Sequence, residues 1–477
     1  MGQPEEDEDA LSTNYEPPTF KLYKRRWFIL FVLSLLQCSN AMIWISYASI
    51  ADLSATFYHT SVDVVNYLAM VYMVASVVFG MVSAFILDHL GLRAGIIAGA
   101  WLNFVGAAIK LLSAYPGVIP PDTLIVVTFI GQSIAAIAQP YNMFATTKLA
   151  ALWFPEEHRA LANTIASMAN PLGILVGSLL SPGIVRPTEN DAVLAREFQT
   201  LLAVNCGPAG LAAVLALVVV TSSKPRTPPS ASAGEESMSF VAGLKQIVRI
   251  KDYWMVVACC GAGIALYTAI TTLLQQMLCP YGYSDTFAGI CSAVNIGAGL
   301  AGAGITGALA DKTKKFEEIC KIFFTCAIIC IAAFTIVIRY SHQEALVAVT
   351  VGAFGFFGFG LYPLCLELGV EVTYPVAEAT SSALIIISGQ IQSIIYLLVM
   401  QSTAVNIPNA TCSGNVAAQD FIYSNVFFIS MAFLAAAAFI IFFKASYKRM
   451  RAEQEAAAER ILDFNSSDNP ATNSGTN

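Results

Sequence analysis

The sequence predicts an all-α integral membrane protein with twelve transmembrane helices, and three observations predict it. Charged residues make up only 12% of the 477 positions and hydrophobic ones 56%, with a mean hydropathy of +0.65. That charge content is about half the share usual in a soluble domain. Charge-free stretches recur along the chain at lengths that suit membrane crossing. The basic residues gather in the segments that fall on one side of those crossings. This composition excludes a water-soluble enzyme, a disordered or collagenous chain and a disulfide-stapled secreted domain. The formal charge of −7 argues against a nucleic-acid binder.

The stretches without Asp, Glu, Lys or Arg are, in order, 27–51, 64–87, 94–109, 123–147, 160–185, 198–223, 253–284, 286–310, 322–338, 345–366, 379–419 and 421–443. A helix needs about 20 apolar residues to cross the hydrocarbon core. Backbone groups in lipid must bond within their own segment, and these lengths fit helices rather than barrel strands. The two short stretches, 94–109 and 322–338, reach full length through Lys110 and Arg339, whose apolar stems can carry the charge to the interface. Asp52 marks the outer end of the first span.

An even number of spans places both termini on one face. Lys21, Lys24, Arg25 and Arg26 precede the first span, and Lys444, Lys448, Arg449 and Arg451 follow the last. Of the 25 basic residues, only Lys110, Arg186, Arg196 and Arg339 fall at the opposite face. Cytoplasmic loops carry the Lys/Arg excess, so both termini are expected in the cytoplasm. No cleavable signal peptide is expected. The acidic run Glu5–Asp9 and the polar stretch Asn465–Asn477 are expected to be solvated, disordered tails. The plasma membrane is the default address, with an endosomal or lysosomal membrane as the alternative.

The longest connection on the terminal side, from Ser222 to Lys251, contains Pro225, Pro228 and Pro229 and divides the chain into six spans plus six. The expected units are an acidic tail 1–24, a six-helix bundle 25–221, a linker 222–251, a second bundle 252–444 and a tail 445–477. Two equal halves are the mark of a duplicated carrier. Asp88 after the second span and Asp311 after the eighth are 223 residues apart, and so are Trp44 and Tyr267 in spans one and seven.

Most of the eleven cysteines, Cys38, Cys259, Cys260, Cys291 and Cys326 among them, lie inside spans. There they read as small apolar residues. Their spacing fits no zinc site. Cys279 and Cys412 can both reach the outer face, where a disulfide is chemically allowed. Asn409-Ala410-Thr411 is an outer-face glycosylation sequon close to the membrane. Asn465-Ser466-Ser467 falls on the cytoplasmic side. His59, His89, His158 and His342 sit in loops or at span ends. No buried His–carboxylate relay is visible, which favours uniport over proton symport. No membrane-embedded histidine is present as an axial haem ligand. No cofactor and no metal are called for, and no nucleophile–base cluster marks an enzyme.

The loop after the second span, with Asp88, Gly91 and Arg93, resembles the signature of the major facilitator superfamily. Asp311 is a degenerate echo of it. Four further segments resemble solute carrier family 49, the feline leukaemia virus subgroup C receptor-related group. They are Asn40-Ala41-Met42-Ile43-Trp44-Ile45, Leu149-Ala150-Ala151-Leu152-Trp153-Phe154, Glu367-Leu368-Gly369-Val370-Glu371-Val372-Thr373-Tyr374-Pro375 and Glu378-Ala379-Thr380-Ser381-Ser382. The resemblance runs from Arg25 to Lys444. It implies two six-helix bundles with alternating access. Relatives are associated with choline and ethanolamine transport, with haem export and with pyridoxine, so the substrate does not transfer with the fold.

The resemblance also implies site residues. Choline-moving relatives hold the quaternary ammonium between an aromatic of span one and one of span seven, positions matched by Trp44 and Tyr267. Both read as lying well inside their spans. A quaternary ammonium cannot donate a hydrogen bond, and aromatic faces are its best partners. The alternative is that both are packing aromatics. Gln139 before Pro140 and Gln390 in the eleventh span match polar cavity positions, where an amide can serve a hydroxyl or amine tail. Interhelical bonding is the competing role, and Asn40 shares the ambiguity. Glu367, with Glu371 one turn later, is the intramembrane acid most open to a gating role; a structural contact at the helix end is the alternative. In the superfamily, charges corresponding to Asp88, Arg93 and Asp311 clamp the cytoplasmic ends of the bundles; otherwise they mark topology. Gly297, Gly299, Gly302, Gly304 and Gly307 in span eight, and Gly352, Gly355, Gly358 and Gly360 in span ten, read as close-packing devices. Pro171, after Asn170, should bend span five.

The expected function is transport of a small organic solute of choline or ethanolamine type by facilitated uniport, acting as a monomer in the lipid bilayer. A haem, porphyrin or pyridoxine-like cargo is the alternative. A non-transporting receptor or scaffold is the alternative of another class.

Overall fold

The computed structural model describes residues 20–115, 119–186, 188, 190–230, 233, 240–283, 285–340, 342–411, 417–455 and 458. The acidic run, the polar C-terminal stretch and Cys412 lie outside the described residues. Twelve helices are long and apolar enough to cross a membrane. In the N-terminal half these are span 1 (Arg25–Ile45), span 2 (Val62–His89), span 3 (Leu92–Leu112), span 4 (Pro121–Trp153), span 5 (Arg159–Ile184) and span 6 (Asp191–Val219). In the C-terminal half they are span 7 (Lys251–Leu278), span 8 (Asp285–Thr313), span 9 (Phe316–Val337), span 10 (Glu344–Thr373), span 11 (Glu378–Thr403) and span 12 (Ile422–Phe442).

Local chemistry sets several of the helix starts. The Ser61 hydroxyl accepts from the Val64 N–H at the start of span 2. Asn190 Oδ1 accepts from Ala192 and Val193 at the start of span 6. Pro121, which has no N–H to leave unpaired, opens span 4. The outer helix faces are apolar: Val78, Phe79, Val82 and Phe85 of span 2 are exposed, as are Phe433, Leu434, Ile441 and Phe442 around span 12. Such faces suit the lipid that surrounds a membrane-spanning bundle.

The helices form two bundles. Within the first half, span 1 packs on spans 5 and 6, and span 4 on spans 2 and 3. Within the second, span 10 packs on spans 8 and 9, and span 7 on spans 11 and 12. The bundles meet chiefly along two related seams, span 2 against span 11 and span 5 against span 8. Span 8 and span 10 approach most closely through glycine. A Cβ on Gly302 would overlap the Phe356 carbonyl, and one on Gly355 would overlap the Asn295 carbonyl. Gly297 and Gly304 face open space instead, so only part of the glycine run serves packing.

Four features depart from the sequence reading. The regular helix of span 1 stops at Ile45, one residue after Trp44. The chain continues through a turn, a 3-10 segment (Ala48–Ile50) and a short helix (Ala51–Phe57). Ile50, with φ −139° and ψ 40°, interrupts the helical path that the charge-free stretch 27–51 suggested. Second, Lys110 does not reach the interface. It is 1% exposed, and its ammonium donates to Gln132 Oε1 at 2.6 Å and to the Ile43 carbonyl at 3.1 Å. The ammonium also sits 4.3 Å from the Tyr47 ring centroid. The polar interior of the N-terminal bundle offers it partners, so snorkelling has no advantage. Third, the end of the 379–419 stretch enters a short antiparallel hairpin, β1 (Val405–Thr411) with β2 (Ala417–Asp420), with Val405 opposite Asp420. The backbone of the Asn409 sequon lies on β1. Fourth, Cys260 and Cys365, on different helices, have their sulfurs within bonding distance and their Cα atoms 6.1 Å apart.

Candidate functional site: a central cavity closed on the terminal face

A hollow of about 1060 Å³, counting the part open to solvent, lies between the bundles. Trp44, Tyr72, Gln139 and Asn170 border it from the N-terminal half, and Tyr267, Phe359, Tyr362 and Gln390 from the C-terminal half. The helix path explains part of this wall. Pro171 has no N–H to give the carbonyl of Ser167 one turn back, and Ser167, Asn170 and Pro171 all face the hollow.

The predicted binding residues fall into two groups. Trp44, Tyr267, Gln139 and Gln390 all line the cavity. The indole N–H of Trp44 donates to the Ala69 carbonyl at 3.1 Å, which fixes the ring beside Tyr72 with centroids 6.4 Å apart. Tyr267 packs on Phe359 at 4.1 Å. Gln139 accepts from the Ser76 hydroxyl at 2.8 Å through Oε1. Asn40 is outside the lining. Its amide donates to Asn103 Oδ1 at 2.8 Å and to the Ala135 carbonyl at 2.9 Å, inside the N-terminal bundle. Its amide is therefore engaged in the bundle and does not face the cavity. Tyr72 and Asn170, which nothing in the sequence marks, also face the cavity. The Tyr72 hydroxyl and the Asn170 amide nitrogen have no hydrogen-bond partner among the described residues. An isolated tyrosine or asparagine in an apolar helix gives no sign of this.

None of the lining residues is Asp, Glu, His, Lys or Arg. A permanent cation in the hollow would meet aromatic faces, hydroxyls and amides, with no counter-charge. An anion would meet no basic group.

The acids gather instead where the bundles close, on the face that carries both chain ends. Asp88, at the end of span 2, accepts from the Thr380 N–H at 3.0 Å and from the Thr380 hydroxyl. It also pairs with Lys148 of span 4 at 2.6 Å. Asp311, at the end of span 8, accepts the N–H groups of Ala160 and Leu161 at 3.1 and 2.8 Å. Each carboxylate thus caps the start of a helix in the opposite bundle, where the helix dipole favours negative charge. The pair repeats at the two related seams. Arg93 takes no part: its guanidinium is exposed and makes no ion pair among the described residues, and its N–H donates to the Ser223 hydroxyl. The groups that Asp88 contacts are instead Lys148, within its own bundle, and Thr380, across the seam. Lys148 follows a charge-free stretch and reads from sequence as a boundary marker.

Glu367 and Glu371 are buried at 2% and 3% exposure. Their partners come from beyond span 12. Arg449 pairs with Glu367 at 3.5 Å, and the Met450 N–H donates to Glu371 at 3.2 Å. One turn on, Glu453 pairs with Arg159, at the start of span 5, at 3.1 Å. Residues 448–455 are helical and so bridge the two bundles. Tyr447 joins this segment to span 9 by accepting the Glu317 N–H at 3.0 Å. Burial pushes its hydroxyl up to about 12, so it stays protonated. Among the described residues, all hydrogen bonds and ion pairs from bundle to bundle lie in this half of the molecule.

Two bundles joined at one face around a central hollow define the class of protein as a membrane transporter of the major facilitator kind. The family model described as Major Facilitator Superfamily matches residues 28–397. The solved structure of the E. coli fucose:proton symporter FucP superposes with a TM-score of 0.63 at 14% identity, over 86% of this chain and 99% of that one. Within the superfamily the chain belongs to solute carrier family 49. It is 40% identical to solute carrier family 49 member A3 of Xenopus tropicalis over 459 residues, covering 95% of this chain and 94% of that protein. It is 28% identical to the choline/ethanolamine transporter FLVCR2 of Homo sapiens, covering 93% and 82% of the two chains.

Proposed function

We propose that this transporter moves a small organic amine of choline or ethanolamine type by facilitated uniport, with the cargo held between Trp44 and Tyr267. One observation carries the reading: the cavity wall is aromatic and amide-rich and contains no acidic, basic or histidine side chain. A quaternary ammonium needs no acceptor and gains from ring faces, about 2 kcal/mol for a desolvated contact. Gln139, Gln390, Asn170 and the Tyr72 hydroxyl serve its polar end. The wall suits a haem or other dicarboxylate poorly, because it offers neither a base for the carboxylates nor a histidine for iron. The absence of an Asp, Glu or His in the lining supports uniport. The relative named a choline/ethanolamine transporter supports the same cargo class.

The bundles 25–221 and 252–444 rock about the cavity as a monomer, with the chain ends in the cytoplasm, where the loops carry nearly all the bases. In the plasma membrane, net movement of a cation then follows its gradient and the membrane potential. The test is uptake of labelled choline and ethanolamine in cells lacking choline carriers. Expression should raise flux, and Trp44→Ala should reduce it. No flux of either amine, with no thermal stabilisation of purified protein by either, overturns the cargo assignment. Stabilisation by a porphyrin or pyridoxine instead would reassign it, and stabilisation by no small molecule would favour a receptor.

A further inference from the structure

Cys260 of span 7 and Cys365 of span 10 stand together in the cavity wall. Their Cα separation of 6.1 Å lies in the range that a disulfide bridges. Each is 4% exposed and borders the hollow. The seven other cysteines whose side chains are described, Cys326 and Cys330 of span 9 among them, lie outside this wall. The pair flanks the aromatic surface: Cys260 is about two turns before Tyr267, and Cys365 is about one turn after Tyr362.

We infer that Cys260 and Cys365 form a dithiol site in the cavity, which chelates trivalent arsenic when reduced and closes to a disulfide when oxidised. In the first reaction an organoarsenic oxide exchanges its oxygen for two sulfurs. Two S–As bonds form, the As–O bonds break, and the oxygen leaves as water with both thiol protons. Arsenic keeps its oxidation state. In the second, a low-molecular-weight disulfide entering the cavity is the oxidant. It takes two electrons and two protons from the pair and leaves as two thiols. Two thiols held side by side bind arsenic as one chelating unit, at an effective concentration that separate cysteines cannot match.

The two products differ in consequence. Both helices belong to the C-terminal bundle, so a disulfide between them does not tie the bundles together. An arsenic held by both thiols sits in the cavity wall whatever the cargo. The site therefore does not rest on the choline assignment.

The test treats reduced, purified full-length protein with phenylarsine oxide, followed by intact mass measurement and peptide-level maleimide footprinting. The expected result is a phenylarsenic adduct that protects Cys260 and Cys365 together from maleimide. The adduct is lost from Cys260→Ser and from Cys365→Ser, and is released from the wild type by a small dithiol. Oxidation with glutathione disulfide should cross-link the peptides carrying the two cysteines. Maleimide labelling of both cysteines at an unchanged rate after phenylarsine oxide treatment would overturn the proposal, and that readout needs no variant. An undiminished phenylarsenic mass increment on Cys260→Ala/Cys365→Ala would overturn it too, because the arsenic would then sit on another pair such as Cys326 and Cys330.

Discussion

Asp88 and Thr380 are joined across the two bundles. The carboxylate at the end of span 2 accepts the first-turn N–H of span 11 at 3.0 Å, while Lys148 holds its other oxygen. A hydrogen bond to a charged group contributes about 1.5–3 kcal/mol, and each 1.4 kcal/mol is about tenfold in a population ratio. Asp88→Asn should therefore shift the molecule toward opening of the terminal face by about tenfold or more. Ser382 is fully buried at this seam, so a Ser382→Cys thiol reports the change. Its maleimide reactivity, less that of the parent protein, should rise with Asp88→Asn. An unchanged rate would mean that Asp88 does not hold the closed face.

Arg449 carries a different part of the closure. It is 2% exposed and its acid partner Glu367 is equally buried. Removing one member of a buried pair costs about 3–5 kcal/mol, because the other charge stays behind, while replacing both is far milder. Arg449→Met should lower the thermal stability of the purified protein markedly. Arg449→Met/Glu367→Gln should recover most of the loss. A double variant as unstable as the single one would show that Arg449 acts through packing rather than charge.

Lys110 binds span 3 to spans 1 and 4 from inside the N-terminal bundle. Lys110→Met keeps the volume and removes the donors. Ser46 still serves the Ile43 carbonyl, so the orphaned acceptor is Gln132 Oε1. A buried acceptor without a partner costs about 1–3 kcal/mol. Thermal denaturation should show that loss, and Lys110→Met/Gln132→Met should be less damaged than the sum of the single changes. An interfacial, snorkelling lysine would tolerate Met with no such coupling.

Trp44 tests the cargo. Losing one ring face should weaken a quaternary amine by about 2 kcal/mol, or roughly thirty-fold. Trp44→Ala should raise the apparent KM for choline by that order, with Trp44→Phe intermediate. The check is uptake over a concentration series beside a surface-expression control. Equal KM values in all three proteins would remove Trp44 from the site.

Sequence alone determined the twelve crossings, because a charge in hydrocarbon is so costly that its absence over about 20 residues marks a span. The halving of the chain and the pairing of Asp88 with Asp311 and of Trp44 with Tyr267 were legible for a related reason. A duplicated fold keeps its special residues at one offset. What sequence could not supply was the partner of each polar side chain. The same composition rule that reveals spans is silent about which helix face meets lipid, bundle or cavity. Hence Asn40 bonds inside the bundle while Gln139 lines the hollow, although both are amides in apolar helices. Lys110 looked like a boundary and is internal, because a neighbouring helix supplies Gln132. Lys148, and not Arg93, pairs with Asp88. The helical segment 448–455 found its acids on span 10, and Cys260 met Cys365 from a helix 105 residues away. These contacts depend on how helices distant in sequence are rotated against one another. That rotation is fixed by packing of the whole bundle and not by any local run of residues.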